Sequence, residues 1–357
     1  MAAMQVVPQH AWDGSVIMGR RLFFYRKDHQ VIARERFDAV MAYAPLDRAP
    51  LLAEGLRDEV RQAWAAQGLP ADADLDALFE YDPRQRLEVG LDPLPQLDHP
   101  PLTPADIDQR RWRLNADDPA RMPGGAQWVT TVKQWQSAGH LIELPLSRGL
   151  FLTMGVGQWA SLEPVLYQLT DAPTRVRRVM DDQAMLAAQL AHRVLSQVAV
   201  DFASFSEPVA DNHGPLISPR LYRQLVLDSY RPVMDVLHGH GVKAIVWITY
   251  GNSKALIGDA LDAGFNCLWA IETETQAMDY RRLRQQFGRQ LRLIGGIDLD
   301  CLLAGPAAID AELESKVPPL LADGGYLPLA DGRVRANMPL AHYAHYRRRL
   351  EQMVRTG

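Results

Sequence analysis

Cysteine is almost absent: the 357 residues include only Cys267 and Cys301. Two thiols cannot staple a chain of this length, which excludes a disulfide framework. Both fall in or near apolar runs and are expected to be buried free thiols in a reducing compartment. Positive charge is not in excess either. The formal net charge is -5, so no basic field exists to hold a nucleic acid or an anionic membrane surface. No apolar run approaches the roughly 20 residues that a membrane span needs. Residues 1–10 lack the basic start and apolar core of a signal peptide. The expectation is a cytoplasmic protein that handles a small molecule. No Gly-x-Gly-x-x-Gly follows any strand-like run, which removes the strongest support for a dinucleotide fold. Internal repeats of roughly 20–50 residues and long linkers are also missing. Lysine is scarce beside arginine, which reads as composition bias.

What is present is ordinary globular composition, 47% hydrophobic and 23% charged. Residues 1–30 show no clean periodicity; 16–25 reads as a strand or an arm on a partner subunit. Residues 31–44 have helical spacing and stop at Pro45. A short strand follows at 48–53, then a helix over 56–67. The Pro- and Asp-rich stretch 82–125 reads as long loops and short edge strands.

The C-terminal half is more regular. Five apolar runs, at 200–205, 243–249, 266–271, 291–297 and 326–329, are apolar at consecutive positions, as parallel strands covered on both faces require. Runs at 140–144 and 149–154 supply two more. Helical patterns alternate with them, over 218–240, 253–263, 277–287, 307–321 and 339–354. Ser218-Pro219 is an N-cap with proline at the first helical position, and Gly241 suits the left-handed C-terminal stop. Alternating strands and helices, near eight of each, predict a single α/β domain, a (β/α)8 TIM barrel over 31–357 preceded by an arm over 1–30.

Chemistry in such a barrel sits at the C-terminal ends of the strands. Polar residues stand there in this sequence: Ser206-Glu207, Thr249-Tyr250-Gly251-Asn252, Glu272, Asp298 and Asp331. Three carboxylates around one pocket suit general acid–base work or a cationic substrate. Glu207, Glu272, Tyr250 and Asp331 are the catalytic candidates. Asn252, Thr249, Asp298 and Arg333 are the substrate-binding candidates. Several have a plainer alternative: Asp298 as a helix cap, Asp331-Gly332 as a turn, Tyr250 as an aromatic wall, Arg333 and Arg335 as solvated loop charges.

The ordered set Arg34-Glu35-Arg36-Phe37, Leu46-Asp47-Arg48-Ala49-Pro50, Gly214-Pro215-Leu216-Ile217-Ser218-Pro219, Tyr250-Gly251-Asn252, Glu272, Leu293-Ile294-Gly295-Gly296-Ile297-Asp298 and Gly324-Gly325-Tyr326-Leu327-Pro328 resembles the uroporphyrinogen decarboxylase superfamily. That superfamily also contains corrinoid-linked methyltransferases. The resemblance spans roughly residues 31–354 and implies a (β/α)8 barrel, a deep pocket at the strand ends and a homodimer.

The departures bear on function. Leu51-Leu52-Ala53-Glu54-Gly55 stands where true uroporphyrinogen decarboxylases carry an arginine-rich clamp for tetrapyrrole carboxylates, which argues against haem biosynthesis. Ile248-Thr249-Tyr250 replaces the His-x-Cys of the zinc-dependent, thiol-alkylating members, so neither zinc nor another metal is expected. Pro208, Ile248, Tyr250 and Gly332 replace Asp, Asp, Asp and His of another branch. Methyl transfer is the first expectation: demethylation of a small substrate to a corrinoid on a separate protein, with a carboxylate as general acid and no tightly bound cofactor. Cofactor-free decarboxylation of a small acid and a non-catalytic relative are the alternatives.

Overall fold

The computed structural model describes residues 31–356 other than 54, 71, 98, 99 and 274. The expected arm over residues 1–30, with its candidate strand, lies outside the described residues. Seven strands follow one another in the sheet in chain order: β1 Arg84–Arg86, β2 Leu141–Ser147, β3 Phe202–Glu207, β4 Ala244–Tyr250, β5 Cys267–Ile271, β6 Arg292–Ile297 and β7 Tyr326–Ala330. Every adjacent pair is parallel. Sequential order without a reversal belongs to a barrel wall; a doubly wound sheet reverses at its switch point.

Helices fill the connections. Before β2 lie α1 Ala33–Met41, α2 Asp58–Ala65, α3 Leu75–Leu78, α4 Pro104–Trp112 and α5 Trp128–Ser137. Between β2 and β3 lie α6 Leu150–Thr153, α7 Trp159–Asp171 and α8 Pro173–Leu195. Next come α9 Pro219–Leu225, α10 Arg231–Gly239, α11 Ile257–Asp262 and α12 Tyr280–Phe287. The chain finishes with α13 Leu299–Ala304, α14 Pro306–Asp323 and α15 Leu340–Thr356. Among the described residues no helix is long and apolar enough to cross a membrane.

Strand periodicity sorts the side chains into two cores, because successive residues face opposite sides. Phe202, Val246, Ile248, Cys267, Trp269, Ile294, Leu327 and Leu329 pack together inside the curled sheet. The alternate residues, among them Ala203, Phe205, Ile245, Trp247, Leu268 and Leu293, pack outward under the helices. Both faces are covered, which is why the runs read as continuously apolar.

The seam between β7 and β1 holds the segment predicted as an eighth strand. It is extended but forms no full ladder. Asp82 donates its N–H to the Leu51 carbonyl at 2.8 Å, and Val334 donates to that of Gly55 at 3.1 Å. Leu56 and Val334 form a single parallel bridge. The described residues therefore give a seven-stranded, TIM-barrel-like α/β fold rather than a complete eight-stranded ring.

Other expectations need correction. The run 149–154 is not a strand: Gly149, at φ +88°, turns the chain into helix α6. A Cβ there would lie 2.6 Å from the Ser206 carbonyl oxygen, so only glycine fits. The helix expected over 218–240 starts at Ser218, which accepts from Leu221 N–H at 3.3 Å. It then breaks at Val226, passes through a 3-10 turn, and restarts with Pro232 in the first turn of α10. Pro232 has no N–H to continue the previous ladder. The stretch 82–125 holds β1 and the capped helix α4 besides its loops. Cys301 sits half-buried on α13 rather than in a strand; Cys267 is fully buried inside the sheet.

Candidate active site

Interior positions at the C-terminal ends of the strands open into a cavity of about 440 Å³. Its apolar wall is Ile248, Trp269, Ile271 and Leu329. Its charged lining is four arginines, Arg57, Arg84, Arg86 and Arg333, against two glutamates, Glu143 and Glu272. Four guanidinium groups facing two carboxylates make a cationic pocket. Of the two uses expected for a carboxylate-rich pocket, general acid–base work or a cationic substrate, this charge balance speaks against the second.

Each charge is positioned by local structure. Arg84 and Arg86 are alternate residues of β1 and face the same side. Arg86 pairs in register with Glu143 of β2. Glu143 is 1% exposed, and its Oε1 accepts from the Ser204 hydroxyl at 2.6 Å. Arg84 Nη1 lies 3.6 Å from Glu143 Oε2, and Arg86 Nε lies 3.5 Å from Oε1. Arg84 also stacks over the Trp269 ring, 4.8 Å from its centroid. Glu143 Oε2 accepts no hydrogen bond, and Arg57 Nε makes none, although both are buried. Buried polar atoms are normally satisfied, so a ligand group or water belongs beside them.

Three of the eight sequence candidates reach this cavity: Glu272, Tyr250 and Arg333. Glu272 follows β5 at φ +48° and pairs with Arg335 at 2.8 Å and Arg57 at 3.5 Å. It sits at the rim, with 44% of its side chain exposed.

The other five are placed elsewhere. Glu207 and Thr249 are register partners on β3 and β4, and both face outward, away from the cavity. Glu207 is fully buried beneath the helices, where Tyr230 donates to its Oε1 and Leu150 N–H lies 3.3 Å from Oε2. Ser147 and Tyr230 share a further hydrogen bond of 2.7 Å. Burial pushes the Glu207 carboxyl up to about 7, against the opposing hydrogen bonds. Thr249 Oγ1 is buried without a hydrogen-bond partner. Asp331 lies beside the cavity, but its carboxylate is committed to Thr273 Oγ1 at 2.7 Å, Thr273 N–H at 3.2 Å and Leu299 N–H at 3.1 Å. It clamps the loops after β5, β6 and β7 together. Asp298 caps α13, accepting from Asp300 N–H at 2.8 Å. Asn252 is tied by its N–H to the Asp211 carbonyl at 2.7 Å and does not line the cavity.

Arg57, Arg84, Arg86 and Glu143 were missed from the sequence. The signals were present: a charged pair at strand spacing in Arg84-Gln85-Arg86, and a lone carboxylate inside the apolar run Leu141-Ile142-Glu143-Leu144. Among the described residues no three His, Cys, Asp or Glu side chains are grouped to hold a metal ion. Burial pushes the Cys267 thiol up to about 12.

The family model for uroporphyrinogen decarboxylase (URO-D) matches residues 86–324, from the end of β1 to the approach to β7. The chain belongs to the uroporphyrinogen decarboxylase family. A solved structure of a methyltransferase from Methanosarcina mazei superposes on it with a TM-score of 0.62 at 16% identity, covering 90% of this chain and 100% of that one. At that identity the likeness is one of fold. No curated protein matches the chain. Within this uroporphyrinogen decarboxylase family member the segment after Pro50 carries no arginine clamp. Its pocket cations come instead from β1, from the Arg57 cap of α2 and from the loop after β7.

Proposed function

We propose that the chain is a methyl-transfer enzyme whose substrate is a small methylated molecule bearing a carboxylate or similar anion. One observation carries this reading: four arginines line a strand-end cavity together with Glu143 and Trp269. Arg57 and Arg333, near the mouth, hold the substrate's permanent anion. Arg84, stacked on Trp269, and Arg86, two residues further along β1, face the heteroatom that loses the methyl group. When the carbon–heteroatom bond breaks, that atom keeps the electron pair, and prearranged positive charge stabilises it. The Tyr250 hydroxyl supplies the hydrogen bond and the proton the departing atom takes up. Glu143 fixes the two arginines, as carboxylates do for guanidinium planes. Glu207, expected as an acid, has no part in this step. Glu272, paired with two arginines at the rim, orients them.

The acceptor in this reading is a corrinoid carried by a partner protein, which supplies the nucleophile for the methyl group. A homodimeric assembly and a cytoplasmic location belong to the same proposal. The test mixes the protein, its corrinoid partner and a panel of methylated carboxylates with cob(I)alamin. The expected result is a spectral change to methylcobalamin that is lost in Arg86→Gln. No change with any donor, with the partner present, contradicts the reading.

Decarboxylation of a small acid is the second reading, favoured by the apolar Ile248, Trp269, Ile271 and Leu329 that line the cavity together with the arginines. One carboxylate would be held by Arg57 and Arg333 while another, desolvated against Trp269 and Ile271, leaves as carbon dioxide. Carbon dioxide release without methylcobalamin selects this reading over the first.

A further inference from the structure

A second cavity, of about 510 Å³, lies outside the sheet, and it shares no lining residue with the strand-end site. It is built by the loop after β1, helix α4, the segment from α6 to α7, and α8. Arg110 of α4 lines it and is 2% exposed. A buried guanidinium demands a counter-charge or a full set of acceptors. Arg110 has neither. Its Nη2 donates to the Gln183 side-chain oxygen, while Nη1 is buried with no hydrogen-bond partner.

The nearby carboxylates serve other arginines. Asp92 pairs with Arg148 at 2.6 Å, and Asp182 with Arg111 at 3.4 Å. Among the described residues no carboxylate forms an ion pair with Arg110. Burial pushes its guanidinium down to about 10. Gln183 is itself fixed, donating through Nε2 to the Leu91 carbonyl at 2.9 Å. Its oxygen is thus held toward Arg110, and the pair is rigid. The rest of the wall is mixed: Leu91, Leu97, Leu152 and Val156 give it an apolar patch beside the polar Gln96, Gln158 and Ser161.

We propose that this cavity is a second binding site, for a small organic anion with an apolar body, whose carboxylate or phosphate completes the coordination of Arg110. The site does not depend on the reaction assigned to the strand-end cavity. The ligand's charged group meets Arg110, Arg148 stays paired with Asp92 in the same lining, and the ligand's body lies along the leucines and Val156. A free inorganic anion would satisfy the charge but leave the apolar patch in water.

The test is calorimetric titration of the full chain with benzoate, using benzamide as the uncharged control. Four proteins are compared: wild type, Arg110→Met, Gly157→Phe and Arg84→Met. Gly157 lines the cavity, and an added Cβ there meets nothing within 4 Å, so a phenylalanine is introduced at the cavity wall without a clash at its Cβ. It keeps the test open if Arg110→Met does not fold. The expected result is benzoate binding, without benzamide binding, that survives Arg84→Met and weakens about tenfold or more in Arg110→Met and Gly157→Phe. Equal benzoate affinity in wild type and both cavity variants overturns the proposal. So does binding lost only in Arg84→Met, which places the anion in the strand-end cavity, and so does the absence of any benzoate heat.

Discussion

Arg86 and Glu143 are register partners across β1 and β2, with the Arg86 Nε 3.5 Å from a carboxylate that is 1% exposed. Their pairing holds a cation in the lining of the strand-end cavity, where Arg86 Nη1 also lies 3.1 Å from the exposed Glu88. Arg86→Gln is expected to leave the fold intact, because its own side chain is 49% exposed. Binding of a carboxylate ligand should weaken about 10–100-fold, the value of one charge-assisted hydrogen-bonding partner. Glu143→Ala is expected to behave differently. It removes the group that fixes both arginines and should lower stability as well as turnover. Paired urea-unfolding and binding titrations separate the two.

Glu207 predicts a pH dependence of stability. Its folded pKa is raised from 4.5 to about 7. Between those values the native state holds a proton that the unfolded chain has lost. The group's contribution is therefore full below about pH 4.5 and falls away as pH rises through 7. The span corresponds to about 3 kcal/mol, as an order of magnitude. Urea unfolding at several pH values should show Glu207→Gln with a flatter profile than wild type in that window. An unchanged slope contradicts the assignment.

Glu272 occupies left-handed backbone, at φ +48°, without being glycine. Its ion pairs are half-exposed and worth little. Comparing Glu272→Gly with Glu272→Ala removes the pairing from both and isolates the backbone. The glycine variant is expected to be more stable by about 1 kcal/mol. Equal midpoints in urea would show that the conformation costs nothing.

Gly251 closes the turn between β4 and Asn252. At φ +57°, an added Cβ would sit 2.5 Å from the Asp211 carbonyl oxygen. Gly251→Ala is expected to cost about 1–3 kcal/mol and to shift Tyr250, which precedes it in the cavity wall. Thermal unfolding and the binding of a carboxylate ligand should both report the change.

Much of the fold was legible because burial writes itself into the sequence. The runs that became β3 to β7 are apolar on both faces, and Ser218-Pro219 and Gly241 mark helix ends by local chemistry. Gly149 was not legible as a turn, because the close approach that excludes a Cβ there is to Ser206, distant in the chain. The site was harder. Glu207 ends an apolar strand as convincingly as Glu272 does, but side-chain parity along β3 turns it outward, and a one-residue difference in register decides that. Asp331 stands at the right strand end, yet its oxygens are taken by Thr273 and Leu299 from neighbouring loops. Arg84 and Arg86 stand at strand spacing, but inside a Pro- and Asp-rich stretch where a strand of three residues is too short for that spacing to stand out. Glu143 was visible all along as a lone carboxylate in a buried run.

The most direct measurement is calorimetric titration of succinate into wild type and into a variant carrying both Arg84→Met and Arg86→Met. The account predicts a binding heat in wild type that disappears in the double variant while the fold, by circular dichroism, is kept. An identical heat and affinity in the two proteins would contradict an anion-binding pocket at the strand ends.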